Sequence, residues 1–289
     1  MDVCNINDIK SLLGRHGFHF SKSMGQNFLI QSWVPEDIAA ASGASKDCCA
    51  LEIGPGIGPL TRQLSDRAGK VVAVELDRSL LPILAETLQG RDNVQVFPGD
   101  IMKLDIPSLV AEHFEGLTPI ACANLPYNIT SPVITALIES NCFSSITVMI
   151  QREVALRICA SPGSSDYGAF SVYVQYHTVP ELLFDVPNTC FLPAPKVTSS
   201  VLRMVPRPKP PQVEDEAYFF RVVHAAFAQR RKTLLNSLSA TLGQPFSREM
   251  IAQAIEQCGL RPDVRGERLG IPEFSALASE LSRGLHEEA

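Results

Sequence analysis

Between about residues 48 and 205, short continuous apolar runs alternate with longer stretches in which apolar residues recur at helical spacing. The runs CALEI (49–53), KVVAVEL (70–76), NVQVF (93–97), PIACA (119–123), SITVMI (145–150), SVYVQY (171–176) and SVLRMV (200–205) predict strands. PLTRQLSDRA (59–68) and SLLPILAETLQG (79–90) fill the first two gaps as helices, and VITALIES (133–140) is helix-like after PIACA. That alternation is the pattern of an α/β doubly wound sheet. No convincing helix separates the last two runs, so the closing strand is expected to be antiparallel.

PRPKPP (206–211) is the one clear linker, because prolines at this density favour extended backbone over helix or sheet interior. Beyond it the pattern turns helical. Phe219, Val222, Val223, Ala226 and Phe227 share one face, and the spacing continues through Leu234, Leu235 and Leu238. Ser247 is placed to cap a second helix ending near Gly259, and Pro272 to open a third. The expected division is therefore a sheet domain with an N-terminal extension over 1–205 and a small α-helical C-terminal domain over 206–289.

The chain has 289 residues, of which 45% are hydrophobic, enough for one large core and a smaller one. It contains no run of about 18 apolar residues. Its first twenty residues mix acids and bases and lack a signal peptide's apolar core, so a cytoplasmic protein is expected. Eight cysteines are scattered without a C-x-x-C pair, which points to reduced thiols rather than a disulfide framework or a zinc site. The six histidines show no metal spacing, and no metal is expected. A net charge of −6 argues against a nucleic-acid partner, yet charge is unevenly spread. Between 196 and 240 eight basic residues face only three acidic ones, with Arg230, Arg231 and Lys232 adjacent.

The chemistry gathers at the ends of the predicted strands. LEIGPGIGPLT (51–61) sets Gly54, Gly56 and Gly58 between a strand and a helix, where backbone can approach a ligand closely. Glu75 lies about 20 residues on, placed to accept both hydroxyls of a ribose, and Asp100 after the third strand is placed to receive an adenine amino group. NAD and S-adenosyl-L-methionine both fit these three features. GPGIGP retains only the first two glycines of the longer pyrophosphate turn, which disfavours NAD.

NLPYNITSP (124–132) follows the fourth strand and faces the same crevice. The Asn124 side-chain oxygen can accept one hydrogen of an amino group and the Leu125 carbonyl the other. Pro126 stiffens the corner, and Tyr127 offers a face for a stacked base. Two such acceptors favour a pyramidal adenine nitrogen whose lone pair points at a sulfonium methyl, so catalysis here needs positioning more than a general base. Asn128-Ile129-Thr130 also matches a glycosylation sequon, read as chance.

With these motifs in order, the chain resembles the ribosomal RNA adenine dimethyltransferases, and within them the bacterial small-subunit type. GQNFL (25–29), LEIGPGIG, VVAVELD, GDIMKLD, NLPYNITSP, QREVALRI, FLPAPKVTSSV, FAQRRKTLLNSL and RGERL carry the likeness across nearly the whole chain. It implies a Rossmann-like class I S-adenosyl-L-methionine-dependent methyltransferase fold and cofactor contacts at Asn27, Leu29, Gly54, Glu75, Asp100 and Asn124. It also implies two methyl transfers to each of two adjacent adenosines near the 3′ end of small-subunit rRNA in a structured ribosomal substrate; an immature small ribosomal subunit is the expected partner, no membrane is expected, and the chain is expected to be a monomer. By the same likeness Phe191 helps Tyr127 sandwich the target base. Lys22, Lys196, Arg230, Arg231 and Lys232 are the expected RNA contacts, although SKSMGQNFL is less basic than many relatives' versions and Leu235 stands where another arginine is usual. Gln151, Arg152 and Glu153 in QREVALRI are read as structural salt-bridging residues. The rival readings are a large-subunit methylase of the antibiotic-resistance type, a ribosome-assembly factor acting by binding alone, and an NAD-dependent enzyme. Intact Asn124, Tyr127 and Glu75 argue against binding alone.

Overall fold

Six of the seven predicted runs are strands of one sheet, and the seventh is not a strand. The computed structural model describes residues 1–20, 26–208, 211 and 213–287, the last three by backbone alone. In chain order, α1 (Ile6–Arg15), β1 (Phe28–Leu29) and α2 (Trp33–Ala41) precede an alternating series. The series runs β2 (Cys48–Ile53), α3 (Pro59–Arg67), β3 (Lys70–Glu75), α4 (Leu81–Thr87), β4 (Val94–Pro98), α5 (Ile106–His113), β5 (Thr118–Asn124), α6 (Thr130–Glu139) and β6 (Ser145–Gln151). Then come α7 (Arg152–Cys159), α8 (Ala169–His177), β7 (Thr178–Val186), β8 (Phe191–Leu192) and β9 (Ser199–Pro206). Helices α9 (Glu216–Phe227), α10 (Leu234–Leu242), α11 (Arg248–Gln257) and α12 (Ile271–Glu287) follow.

The chain divides into two compact units, Met1–Ala155 with Pro180–Pro206 and Leu156–Val179 with Arg207–Ala289. The expected sheet domain of 1–205 thus differs over 156–179, which belongs to the helical unit. SVYVQY, expected as a strand, is the body of α8. Val172, Val174 and Tyr176 are all buried there, Val172 and Tyr176 in a cluster with Phe219, Leu238 and Phe274, and a helix packed on more than one side loses its one-faced signature.

The first unit holds a seven-stranded sheet in the order β4-β3-β2-β5-β6-β9-β7. Strands β2 to β6 pair in parallel, and β9 runs antiparallel to β6, as expected for the closing strand. Every residue of β2 is buried, so its run is continuous rather than alternating. Strand β7 interrupts its apolar residues with Pro180, Glu181 and Asp185. It lies at the sheet edge, the position where a proline's missing N–H does no harm. Arg152 pairs with Asp185 at 2.9 Å, and Asp185 accepts the Ser200 hydroxyl at 2.6 Å, joining α7, β7 and β9.

The order reverses at β2: the chain moves outward through β3 and β4, then returns to place β5 on the other side of β2. Such a switch point leaves a crevice beyond the carboxyl ends of the two central strands. Here those ends are Ile53 and Asn124.

In the helical unit, Asp215, Thr233 and Ser247 cap α9, α10 and α11 by accepting a backbone N–H each. The apolar spacing that seemed to run on from Phe227 to Leu238 is broken by a turn at 228–233. Buried Ser237 closes that turn, donating its hydroxyl to the Ala225 carbonyl at 2.7 Å and accepting the Gln229 N–H at 3.1 Å.

Gly69 joins α3 to β3 under close constraint. Its N–H donates to the Ser45 and Cys48 carbonyls, and a Cβ there would lie 2.3 Å from the Lys46 carbonyl oxygen. Gly69→Ala is therefore expected to destabilise the sheet unit by about 1–3 kcal/mol in denaturant unfolding. Gly14→Ala, with nothing within 4 Å of the new methyl, should be neutral or stabilising.

Candidate active site

The crevice at the switch point is a pocket of about 1000 Å³ including its open mouth. Its lining includes Asn27, Leu29, Gly54, Glu75, Asp100, Asn124, Leu125 and Tyr127, all singled out from sequence. They arrive from the ends of β2, β3, β4 and β5 and from the segment around β1, and the crevice expected to join Gly54, Glu75, Asp100 and Asn124 is this pocket.

The turn after β2 is built on left-handed backbone: φ is +67° at Gly54, +61° at Gly56 and +89° at Gly58. Side chains are strained in that region. At Gly56 a Cβ would also meet the Phe28 ring at 3.4 Å, so the glycine admits both the turn and the aromatic wall. Pro59 then starts α3, where its missing N–H costs nothing.

Glu75 ends β3 with only 5% of its surface exposed. Burial raises its pKa, while backbone N–H groups oppose the rise by bonding the carboxylate. Asp77 donates at 2.8 Å and Gly56 at 3.2 Å, so the glycine turn and the carboxylate fix each other. Asp77 is held in turn by Ser79 and by the Gln26 amide at 2.7 Å. Asp100 follows β4, accepts the Met102 N–H at 3.0 Å and lies 3.7 Å from the Lys103 ammonium. Glu75, so held beside the glycine turn, fits the vicinal hydroxyls of a ribose.

Asn124 is the last residue of β5, in register with Met149 of β6. The Leu125 N–H donates to the Met149 carbonyl at 3.1 Å, which fixes the corner just where the strand ends. The Asn124 amide takes no hydrogen bond from any described residue, leaving it to a ligand. The Tyr127 hydroxyl meets that of Ser199 at 2.7 Å, and Ser199 is fully buried, so the ring is tethered at its far end. Burial pushes the phenol pKa up, and the Ser199 bond opposes it.

Phe191 is not among the residues that line the pocket. It is 3% exposed, lies in β8 opposite Leu29 of β1, and packs in the core cluster with Val34, Ile38 and Met149. Leu29, its partner in the β1–β8 pairing and in the same cluster, does line the pocket. Lys196 is exposed on the loop after β8. In the helical unit Arg230, Arg231 and Lys232 are exposed in the turn between α9 and α10, not on a helix face. Arg230 sits 3.6 Å from Glu267. Lys22 lies outside the described residues.

Glu52 was missed in the sequence. It lines the pocket at 1% exposure, and its Oε2 has no hydrogen-bond partner among the described residues. Burial pushes its pKa up to about 8; the nearby Thr61 hydroxyl lowers it, and the Glu75 charge raises it further. The signal was a single acid inside an otherwise apolar strand, CCALEI. Phe28 and Gln26 were also missed.

Solved structures share this architecture. A dimethyladenosine transferase from Plasmodium falciparum superposes with a TM-score of 0.74 at 23% identity, over 88% of this chain and 97% of that one. The 23S rRNA methyltransferase ErmE gives a TM-score of 0.67 at 25% identity, over 89% of this chain and all of that one. Closer in sequence are proteins named ribosomal RNA small subunit methyltransferase A: that of Geobacillus thermodenitrificans is 46% identical over 284 residues, and that of Bacillus anthracis 45% over 284, each alignment covering 97% of both chains. The family model described as ribosomal RNA adenine dimethylase matches residues 17–260. On a match that spans both compact units and the whole pocket, the chain belongs to the ribosomal RNA adenine dimethylase family.

Proposed function

We propose that this protein transfers methyl groups from S-adenosyl-L-methionine to the exocyclic amino groups of two adjacent adenosines near the 3′ end of small-subunit rRNA, acting on an immature small subunit. The observation that carries the reading is Asn124, whose amide has no partner among the described residues and closes β5 in the pocket that also holds the glycine turn and Glu75. Family membership supports the adenine as target, and relatives at 45–46% identity over 97% of their length support the small subunit. ErmE, at 25%, gives the large-subunit reading weaker support.

The residues present fit the cofactor. Glu75 would hold the ribose hydroxyls, Asp100 the adenine amino group, and the glycine turn would pass close to the amino-acid end, with Asn27 and Leu29 completing the wall. When bound, the cofactor supplies an electrophilic methyl on a sulfonium. The chain's own work is to present a nucleophile. Asn124 and the Leu125 carbonyl accept the two N–H groups of the target adenine, which draws the nitrogen lone pair out of the ring's π-system. Tyr127, tethered by Ser199, stacks the base and offsets part of the cost of taking it out of its helix, with about 1–3 kcal/mol available per stacked face. The amine needs no general base before attack, since its proton becomes acidic only after methylation. Arg230, Arg231, Lys232 and Lys196 would meet phosphates, an attraction that weakens as salt rises.

Two substitutions separate binding from chemistry. Glu75→Ala should weaken S-adenosyl-L-methionine binding about 10- to 100-fold in calorimetric titration while circular dichroism shows an intact fold. Unchanged affinity would remove Glu75 from the cofactor site. Asn124→Ala should lower the single-turnover methyl-transfer rate on immature small subunits by about 100-fold or more, with subunit binding within about twofold of wild type. A wild-type rate would refute its role.

A further inference from the structure

A carboxylic acid as deeply buried as Glu52 demands an explanation that its own fold does not supply. It sits two residues before the glycine turn, lines the cofactor pocket at 1% exposure, and leaves one oxygen without a partner among the described residues. Leaving a buried polar atom unpaired costs about 1–3 kcal/mol. An apolar residue would fill the same strand position without that cost, as its neighbours Leu51 and Ile53 do.

We propose that Glu52 is a specificity-determining residue that lets the pocket tell the cationic methyl donor from the neutral thioether left after transfer, by ionising against the one and staying an acid against the other. The proposal rests on the cofactor reading above. A positive centre brought into a buried site favours a carboxylate there, because the pair interacts at low effective dielectric. The thioether has no such charge. The ionised Glu52 would then lack a counter-charge, so it takes up a proton and its contribution to binding is lost.

The groups around Glu52 leave it as the one that responds. Glu75 on β3 adds a negative charge that holds Glu52 in its acid form, but its ribose partner is common to donor and product. Thr61 on α3 is a hydroxyl that favours the ionised form and does not titrate. Cys122 on β5 feels Glu52, yet burial keeps its thiol far above the neutral range. The sign follows from a free-state pKa of about 8. Below that value binding of the cation must expel a proton, so donor affinity rises with pH toward about 8 and then levels off.

Calorimetric titration of the full chain with S-adenosyl-L-methionine and with S-adenosyl-L-homocysteine tests this. At neutral pH, in two buffers of different ionisation heat, donor binding should release up to about one proton more than product binding. The donor-to-product affinity ratio should climb with pH by up to about tenfold per unit below pH 8. Both ligands carry an amino group that titrates in this range, so the same series is run on Glu52→Gln, where the excess proton should vanish and the ratio should flatten. The proton count on the wild-type protein stands even if the variant does not fold. Equal proton release by the two ligands would assign Glu52 to the amino-acid end that they share and overturn the proposal. So would a Gln variant that keeps the wild-type ratio and its pH dependence. Failure of the wild-type protein to bind either ligand would instead overturn the cofactor reading, and this proposal with it.

Discussion

The site depends on one constrained carboxylate. Glu75 is almost wholly buried at the end of β3, where a charge is tolerated only if hydrogen bonds replace water. The backbone supplies them from two directions, the Asp77 N–H on its own strand end and the Gly56 N–H across the switch point. The second bond needs Gly56 at a left-handed φ, and Phe28 closes over the position where a side chain would be. The glycine turn, the N-terminal strand and the acid are thus one mechanical unit. The parallel pairing of β2 with β3 brings it together, and that of β2 with β5 adds Asn124 from the other side.

How much of this could be read from the sequence depended on how each segment is buried. The central strands were legible because parallel strands covered on both faces leave unbroken apolar runs. SVYVQY carries the same composition, and a run that short cannot be told from a buried helix by its pattern; its neighbours in the helical unit decide the outcome. β7 escaped notice for the opposite reason, since an edge strand can carry Pro180, Glu181 and Asp185 without penalty. At the site, residues with a chemical signature at a strand end were legible: the glycines, Glu75, Asp100 and Asn124. Phe191 was found by likeness alone, since the two-residue strand pairing that sets it opposite Leu29 is invisible in the pattern. Glu52 was overlooked because a lone acid in an apolar run reads as a strand residue.

Charge follows the same local logic. A chain with a net charge of −6 can serve an RNA substrate if cations are concentrated and exposed. The turn at 228–233 does this: Ser237 bonds its backbone, and Arg230, Arg231 and Lys232 are consecutive and exposed. Its anchoring is buried and Arg231 and Lys232 are exposed, so binding electrostatics can vary at those two positions without disturbing the helical core, whereas Arg230 also faces Glu267.

The central claim is that this pocket is built to methylate adenine amino groups of small-subunit rRNA. Mass-spectrometric mapping of that rRNA, from cells that carry the gene and from cells that lack it, tests this most directly. The account predicts two adjacent N6,N6-dimethyladenosines near the 3′ end in the first and unmodified adenosines in the second. Identical rRNA from both, or a loss confined to the large subunit, would contradict it.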